Sequence, residues 1–122
     1  MNHNIPKGVI VAKVITSEAH PNADKLIVCK VDTGTEELQI ICGAPNVKPG
    51  MKVALATIGT KIEDPIAPLS PIVIKKARLR GIESFGMLCS EKELGISDND
   101  SGIMELSDIH EIGKELSEYY KN

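Results

Sequence analysis

Short runs of β-branched and other apolar residues, separated by turn-forming residues, make up most of this chain. The run V-I-V-A-K-V-I at 9–15 has no helical period, which predicts a strand covered on both faces. Further runs predict strands at 26–32, 37–42, 51–58, 72–80, 85–89 and 102–106. Glycine, proline, asparagine and aspartate between these runs indicate tight turns instead of long helices. The pattern therefore favours an all-β barrel or sandwich.

Three stretches depart from this pattern of strands and turns. Residues 59–71 carry three prolines, which predicts a long surface excursion because proline interrupts regular pairing. The segment S-E-K-E-L-G at 90–95 has a serine cap, a glutamate three residues later and a closing glycine, so it predicts one helical turn. Near the C-terminus, helical spacing predicts a short docking helix whose buried face holds Ile112, Leu116, Tyr119 and Tyr120.

The length of 122 residues is typical of one domain. We expect residues 1–7 to be a flexible lead-in and residues 8–122 to form a single folded unit. Many short strands, dense turns and one proline-rich loop favour a small, partly open barrel of the oligonucleotide-binding type. The predicted fold is therefore an all-β, five-stranded OB-fold barrel with extra short strands and a short C-terminal helix.

Composition is ordinary for a folded soluble protein, with 42% apolar and 25% charged residues. The sequence has no apolar run of about eighteen residues and no signal-peptide pattern, so we expect no membrane segment. Its three cysteines, Cys29, Cys42 and Cys89, lie within apolar runs and form no C-x-x-C motif. Buried, reduced thiols in a cytoplasmic protein are the simplest interpretation.

No arrangement of residues in the sequence indicates a catalytic centre or a metal site. The three histidines, His3, His20 and His110, are far apart and lack partners at metal-ligand spacing. Ser84 lies in E-S-F-G, which lacks the G-x-S-x-G pattern of a nucleophile elbow. The glycines form no phosphate-binding loop. We therefore predict no catalytic residue, no metal ligand and no cofactor for this chain.

Positive charge is concentrated in one place although the net charge is −3. Residues 1–92 carry a net +3, whereas residues 93–122 carry a net −6. Four basic residues lie within six positions: Lys75, Lys76, Arg78 and Arg80. Strand alternation would place Lys76, Arg78 and Arg80 on one face, where they would suit a track of phosphates. A solvated strand edge that prevents aggregation is an equal alternative.

The scarcity of aromatic side chains limits how a nucleic acid could be held. There is no tryptophan, and Phe85, Tyr119 and Tyr120 are the only phenylalanine and tyrosine residues. Single-strand binders of this barrel type usually stack bases on aromatic side chains. Any nucleic-acid contact should therefore be mainly to backbone and shape, weak, and strongly dependent on salt.

Four segments together resemble a known family. They are H-P-N-A-D-K-L at 20–26, I-C-G-A-P-N-V at 41–47, K-A-R-L-R-G-I-E-S-F-G-M-L-C-S-E-K-E-L-G at 76–95 and D-S-G-I-M-E-L at 100–106. The first, with L-R-G-x-x-S-x-G-M-L, resembles the tRNA-binding barrel of free dimeric bacterial tRNA-binding proteins and of some aminoacyl-tRNA synthetases. C-G-A-P-N-V and M-L-C-S-E-K-E-L-G narrow the resemblance to the N-terminal region of the bacterial phenylalanyl-tRNA synthetase β subunit.

This resemblance covers about residues 8–120 and implies an oligonucleotide-binding fold within a cytoplasmic ligase. Such a ligase esterifies phenylalanine to its tRNA with ATP and Mg²⁺ as an (αβ)₂ heterotetramer, and its catalytic centre belongs to the α subunit. The resemblance therefore implies an accessory module without chemistry of its own. Its implied partners are tRNA, the α subunit and the remaining β-subunit domains.

By analogy with the tRNA-binding relatives, the candidate RNA-face residues are Lys25, Lys30, Lys76, Arg78, Arg80, Ser84 and Met87. Alternatives stay open for some of them: residues 20–26 could equally be a well-made turn, and Ser84 with Met87 could cap and pack the barrel mouth. For the whole chain, one alternative is a structural module that packs against other synthetase domains. Another is a free-standing dimeric tRNA-binding protein, which fits the shared motif but not C-G-A-P-N-V.

Overall fold

One long strand organises an antiparallel sheet. The structure, a computed structural model, describes residues 5–62, 72–99 and 101–120. Within these ranges the elements are β1 (Val9–Ala19), β2 (Ile27–Asp32), β3 (Glu37–Cys42), β4 (Lys52–Thr57), β5 (Lys61–Ile62), β6 (Ile72–Val73), β7 (Ala77–Leu79), β8 (Ile82–Ser84), β9 (Gly86–Leu88), β10 (Glu105–Leu106) and a 3₁₀ helix (Leu116–Tyr119). The main sheet has the order β10-β4-β1-β2-β3, and β9 also pairs with β4.

Strand β1 pairs with two other strands at different positions along its length. Residues 9–13 pair with β4, and residues 13–19 pair with β2. The register with β2 shifts between Val14 and Thr16, which marks a bulge. A bulge bends a strand and increases its twist, so the two halves of β1 can follow different parts of a curved sheet.

Two hydrophobic clusters share β1 and β4, because successive side chains of a strand point to opposite faces. Val11 and Ala54 belong to one cluster, which also contains Leu116 of the 3₁₀ helix. Val14 and Val53 belong to the other, to which β2, β3 and β9 contribute. The predicted burial of both faces is thus confirmed for the first half of β1.

Isolated hydrogen bonds join β3 to the β8–β9 segment. No strand ladder connects them within the described parts of the chain. Instead, Phe85 donates its backbone N–H to the Gln39 carbonyl at 2.9 Å, and the Ser84 hydroxyl accepts the Ile41 N–H at 2.9 Å. The Gln39 side chain donates to the Glu83 carbonyl at 2.8 Å. The predicted all-β, OB-like fold is confirmed, with six strands in the main sheet and this seam held without a ladder.

The prediction of one continuous strand at 72–80 is wrong. Strand β6 pairs with β5, whereas β7 forms a separate hairpin with β8, a strand that the sequence pattern did not predict. Ile74 is buried and continues the pairing of β6 with the segment before β5, so the break between β6 and β7 comes after residue 74. Its N–H donates to the Thr60 carbonyl at 2.8 Å, and its carbonyl accepts the Gly59 N–H at 2.7 Å. Strand alternation therefore does not extend across the basic cluster.

Both predicted helical segments are shorter than a regular helix. Ser90 donates its N–H to Glu93 Oε1 at 2.8 Å, and Glu93 donates its N–H to Ser90 Oγ at 3.2 Å. This reciprocal pair confirms the predicted cap, although residues 91–95 form turns and not a helix. The C-terminal docking helix is a four-residue 3₁₀ helix, anchored by the fully buried Leu116.

Two predicted irregular segments lie partly outside the described residues. The excursion at 59–71 contains β5, and residues 63–71 fall outside the described ranges. Residues 1–4 of the predicted lead-in also fall outside them, whereas Ile5 is buried in the same cluster as Leu116. The core therefore includes part of the N-terminal segment.

Leu116→Ala should lower the free energy of unfolding by about 2–5 kcal/mol, because it removes a buried side chain and leaves a cavity under the 3₁₀ helix. Ile109→Ala is the matched control, since Ile109 is 76% exposed. The control should change stability by less than about 0.5 kcal/mol. Urea denaturation measures both values, and equal midpoints for the two variants would contradict this view of the core.

The thiols should be protected in the folded chain. Burial raises the pKa of Cys29 and of Cys89 to about 12, from an ordinary value of 9.0. The folded state therefore keeps protons that the unfolded chain releases, so this contribution to stability is complete below about pH 9 and is lost towards about pH 12. A disulfide-exchange reagent at pH 8 should label the native chain far more slowly than the urea-unfolded chain. Equal labelling rates would contradict burial of the thiols.

Candidate nucleic-acid interface

A two-residue turn presents part of the basic cluster to solvent. Strands β7 and β8 pair as far as Leu79 and Ile82, which leaves Arg80 and Gly81 at the tip. The φ angle is 53° at Arg80 and 89° at Gly81. Two successive left-handed residues are typical of a type I′ hairpin turn, where asparagine and glycine are usual. An arginine at the first position costs about 1–2 kcal/mol of backbone strain.

The turn at 20–26 is anchored on this hairpin tip. His20, which is 5% exposed, accepts the Asn22 backbone N–H on Nδ1 at 2.9 Å. Its Nε2 therefore carries the ring proton and donates it to the Leu79 carbonyl at 2.9 Å. The Asn22 side-chain amide donates to the Arg80 carbonyl at 3.3 Å. We call these contacts of His20 and Asn22 with the tip the clamp.

The basic residues of the hairpin differ in how far their charge is compensated. Lys76 precedes β7, and its ammonium pairs with Glu83 at 3.0 Å and lies 6.0 Å from the centre of the Phe85 ring. Arg78 in β7 and Arg80 at the tip are exposed. Neither guanidinium forms an ion pair with another residue that the structure describes. These two arginines are therefore the cations best placed to meet an external anion.

Lys25 lies on the turn that contacts the hairpin, and Lys30 lies on β2, which is separated from the hairpin by β3. Lys25 is exposed in the turn at 20–26, which holds the clamp. Lys30 is exposed in β2 and is paired in register with Gln39, whose side chain bonds to the Glu83 carbonyl in β8. The structure thus assembles the elements that carry Lys25, Lys30, Lys76, Arg78 and Arg80. Their contact with RNA stays a prediction.

Ser84 and Met87 have structural surroundings. Ser84 is 3% exposed, and its hydroxyl accepts the Ile41 N–H and donates to the Gly86 carbonyl at 3.2 Å. It stabilises the seam between β3 and β8–β9. Met87 is partly buried against the cluster that contains the 3₁₀ helix. For these two residues the geometry favours the capping and packing alternative, and RNA contact stays a prediction.

A mainly apolar cleft of about 680 Å³ lies beside Met87. Residues 41–45 form one wall, and residues 101–103 contribute to another. The C-G-A-P segment, which narrowed the resemblance, therefore lines this cleft, and residues 43–45 also line a second pocket with residues 24–26 of the turn that holds the clamp. Within residues 5–62, 72–99 and 101–120, no group of three His, Cys, Asp or Glu side chains is placed to hold a metal ion. No helix in those ranges is long and apolar enough to cross a membrane.

Comparison with known proteins decides the family. A family model described as a putative tRNA-binding domain matches residues 9–115. The chain belongs to this tRNA-binding domain family. The matched part of the tRNA-binding domain includes the clamp, the β7–β8 hairpin and every candidate RNA-face residue.

The tRNA-binding domain is similar to part of phenylalanine–tRNA ligase β subunits. It is 49% identical over 112 residues to that of Cupriavidus pinatubonensis, and 50% identical over 113 residues to that of Aromatoleum aromaticum. The alignments cover 91% and 92% of this chain but 14% and 13% of those proteins. The predicted resemblance to these β subunits is confirmed, and the chain spans about one seventh of their length.

Solved structures share the fold of the tRNA-binding domain at low sequence identity. A MetRS-related protein from Pyrococcus horikoshii has a TM-score of 0.60 at 23% identity, covering 86% of this chain and 84% of its own. The C-terminal domain of Plasmodium vivax p43 has a TM-score of 0.61 at 22% identity, covering 91% of this chain and 58% of its own. These likenesses support the fold alone.

Sequence reasoning does not find the clamp in the tRNA-binding domain. His20 and Leu79 are 59 positions apart, and the acceptors at the tip are backbone carbonyls. The one signal in the sequence is that the family resemblance contains both H-P-N and L-R-G, while the histidine and the asparagine have no predicted role. Polar residues without a local partner inside a shared motif are therefore candidates for a contact between two motifs.

Ser84→Ala should lower the free energy of unfolding by about 1–3 kcal/mol, because the Ile41 N–H loses its acceptor in a buried place. Ser101→Ala is the control, since Ser101 is exposed. The control should stay within about 0.5 kcal/mol of the unmodified chain. Thermal or urea unfolding gives both values. An unfolding midpoint of Ser84→Ala equal to that of the unmodified chain would show that this serine does not stabilise the seam.

Proposed function

We propose that this chain is an accessory tRNA-binding module of a phenylalanine–tRNA ligase β subunit, which aids tRNA docking and performs no chemistry itself. The observation that carries the proposal is the exposed strand β7 and hairpin tip with Arg78 and Arg80, both without an ion-pair partner among the described residues. The family match and the names of the similar β subunits support tRNA as the ligand.

The chemistry of the hairpin suits phosphate contact. A guanidinium offers paired N–H donors that match two oxygens of one phosphate. The aromatic residues add little, because Phe85 is half-buried and Tyr119 and Tyr120 pack against the core. Recognition in this proposal therefore runs through phosphates and RNA shape, with weak and salt-sensitive affinity.

The remaining properties of the ligase belong to the same proposal. The partners are tRNA, the α subunit and the other β-subunit domains of a cytoplasmic (αβ)₂ heterotetramer. ATP and Mg²⁺ serve the catalytic centre of that assembly, and this chain holds no cofactor. The small share of the relatives that this chain covers, 13–14%, is consistent with a module that assists a much larger enzyme.

A structural module that packs against other ligase domains is the second candidate. The mainly apolar cleft lined by residues 41–45 favours it, because an apolar groove can receive side chains of a neighbouring domain. Removing the module from the intact ligase distinguishes the two candidates. A packing role predicts reduced assembly or stability, whereas a tRNA-docking role predicts an unchanged oligomer with a raised KM for tRNA.

Replacing both Arg78 and Arg80 by alanine should weaken tRNA binding and its dependence on salt. Each lost phosphate contact should reduce the slope of log K against log salt concentration by about one unit. Titration of a phenylalanine-tRNA transcript at several low salt concentrations measures affinity and slope together. Lys48→Ala with Lys114→Ala is the charge-matched control, since both lysines are exposed and outside the hairpin.

The control should keep most of the affinity and of the salt slope. If the arginine and lysine double variants lose affinity equally, the hairpin is not the binding site. If the unmodified chain binds no tRNA even at the lowest salt concentration, the tRNA-docking proposal fails.

A further inference from the structure

The hairpin turn requires positive φ at position 80, but it does not explain why an arginine stands there. A two-residue turn of this kind forms readily with asparagine or glycine at its first position. Arg80 is the one residue other than glycine with positive φ among the described residues. Strained backbone persists where the surroundings over-determine it, and it is concentrated at functional places. An arginine at this strained position therefore points to contacts that hold the tip and to a role for the arginine side chain.

The clamp is what holds the tip. It supplies hydrogen bonds to two consecutive carbonyls, those of Leu79 and Arg80, on either side of the strained φ angle. The donors come from outside the hairpin, and the histidine ring is fixed in turn by the Asn22 N–H. Within the hairpin, β8 is partly to fully buried, whereas all three residues of β7 are exposed, so β7 and the tip gain little support from packing.

The turn that supplies the clamp is itself well defined. The His20 N–H donates to the Leu26 carbonyl at 3.0 Å, and the Leu26 N–H donates to the Ala23 carbonyl at 3.2 Å. The histidine ring is 5% exposed, so its two hydrogen bonds are sheltered from competing water. A turn that is closed by hydrogen bonds and contains a buried histidine can therefore hold the exposed hairpin tip in a fixed position.

We infer that His20 and Asn22 are positioning residues, which hold the tip of the β7–β8 hairpin so that the Arg80 side chain is aimed at an RNA phosphate. This inference rests on the proposed tRNA-binding function. The clamp lowers the cost of ordering the arginine on binding, because the backbone from which the guanidinium extends is already fixed. Arg78 differs, since it lies within the paired part of β7, opposite Glu83.

A double-mutant cycle on the 122-residue chain tests the inference. Asn22→Ala removes the donor to the Arg80 carbonyl without changing charge, at an exposed position where the fold should tolerate it. Arg80→Asn removes the guanidinium and keeps a residue that accepts the left-handed conformation. Arg78→Ala provides the matched cycle, because its backbone does not depend on the clamp.

Asn22→Ala should weaken binding of the phenylalanine-tRNA transcript by about threefold or more in the unmodified chain, within the range of couplings between contacting residues. It should have no further effect when Arg80 is already asparagine. Combined with Arg78→Ala, its effect should be additive. Coupling to Arg80 but not to Arg78 is a result that a merely structural role of Asn22 would not produce.

A measurement without RNA supports the same test. Amide ¹⁵N relaxation of Arg80 and Gly81 should show larger motion in Asn22→Ala than in the unmodified chain, while amides of β1 stay unchanged. His20→Gln, which retains one acceptor and one donor, should keep more tip order and more tRNA affinity than His20→Ala.

The outcomes separate this inference from the function on which it rests. If the unmodified chain binds tRNA but Asn22→Ala costs the same in both Arg80 backgrounds, or costs nothing, the positioning role is overturned and the tRNA-binding function stands. If the unmodified chain binds no tRNA, both are overturned.

Discussion

The bend of β1 is the constraint on which the rest of the sheet depends. Strand β1 lies between β4 and β2 in the sheet and pairs with them at different positions, residues 9–13 with β4 and residues 13–19 with β2. The change of register between Val14 and Thr16 supplies the bend. Because both faces of the first half of β1 are buried, other parts of the chain must pack against β1 and β4 on both sides of the sheet. Strands β2, β3 and β9 cover one side, and the C-terminal 3₁₀ helix contributes to the other.

The seam between β3 and the β8–β9 segment has a different consequence. Single hydrogen bonds from Gln39 and to Ser84 hold it, instead of a ladder that would bind every residue. The seam holds the β8 side of the hairpin, whereas β7 is exposed and pairs with β8 alone among the described strands. The clamp from His20 and Asn22 gives a second support, at the tip.

An acidic chain and a basic hairpin are compatible because charge acts locally in salt solution. The screening length is about 8 Å at physiological ionic strength, so a phosphate at the hairpin is affected mainly by nearby side chains. The net −6 of residues 93–122 is distributed over the C-terminal quarter of the sequence, whereas Arg78 and Arg80 lie on one hairpin. The modest affinity that we expect from so few cations is compatible with the proposed role in docking.

The sequence by itself determined most of the longer strands, the OB-like class and the family resemblance, because alternation, turn residues and short motifs are local properties that a linear chain displays. It also located the basic cluster, but it extended one strand across 72–80. Residues 72–74 pair with residues 59–62, whereas residues 77–79 pair with residues 82–84, and this choice of partners is a property of the folded chain. The clamp likewise appears only in the tertiary structure. The acceptors of the clamp are backbone carbonyls, which every residue has. The side chains of the sequence therefore do not indicate which donors will lie near them.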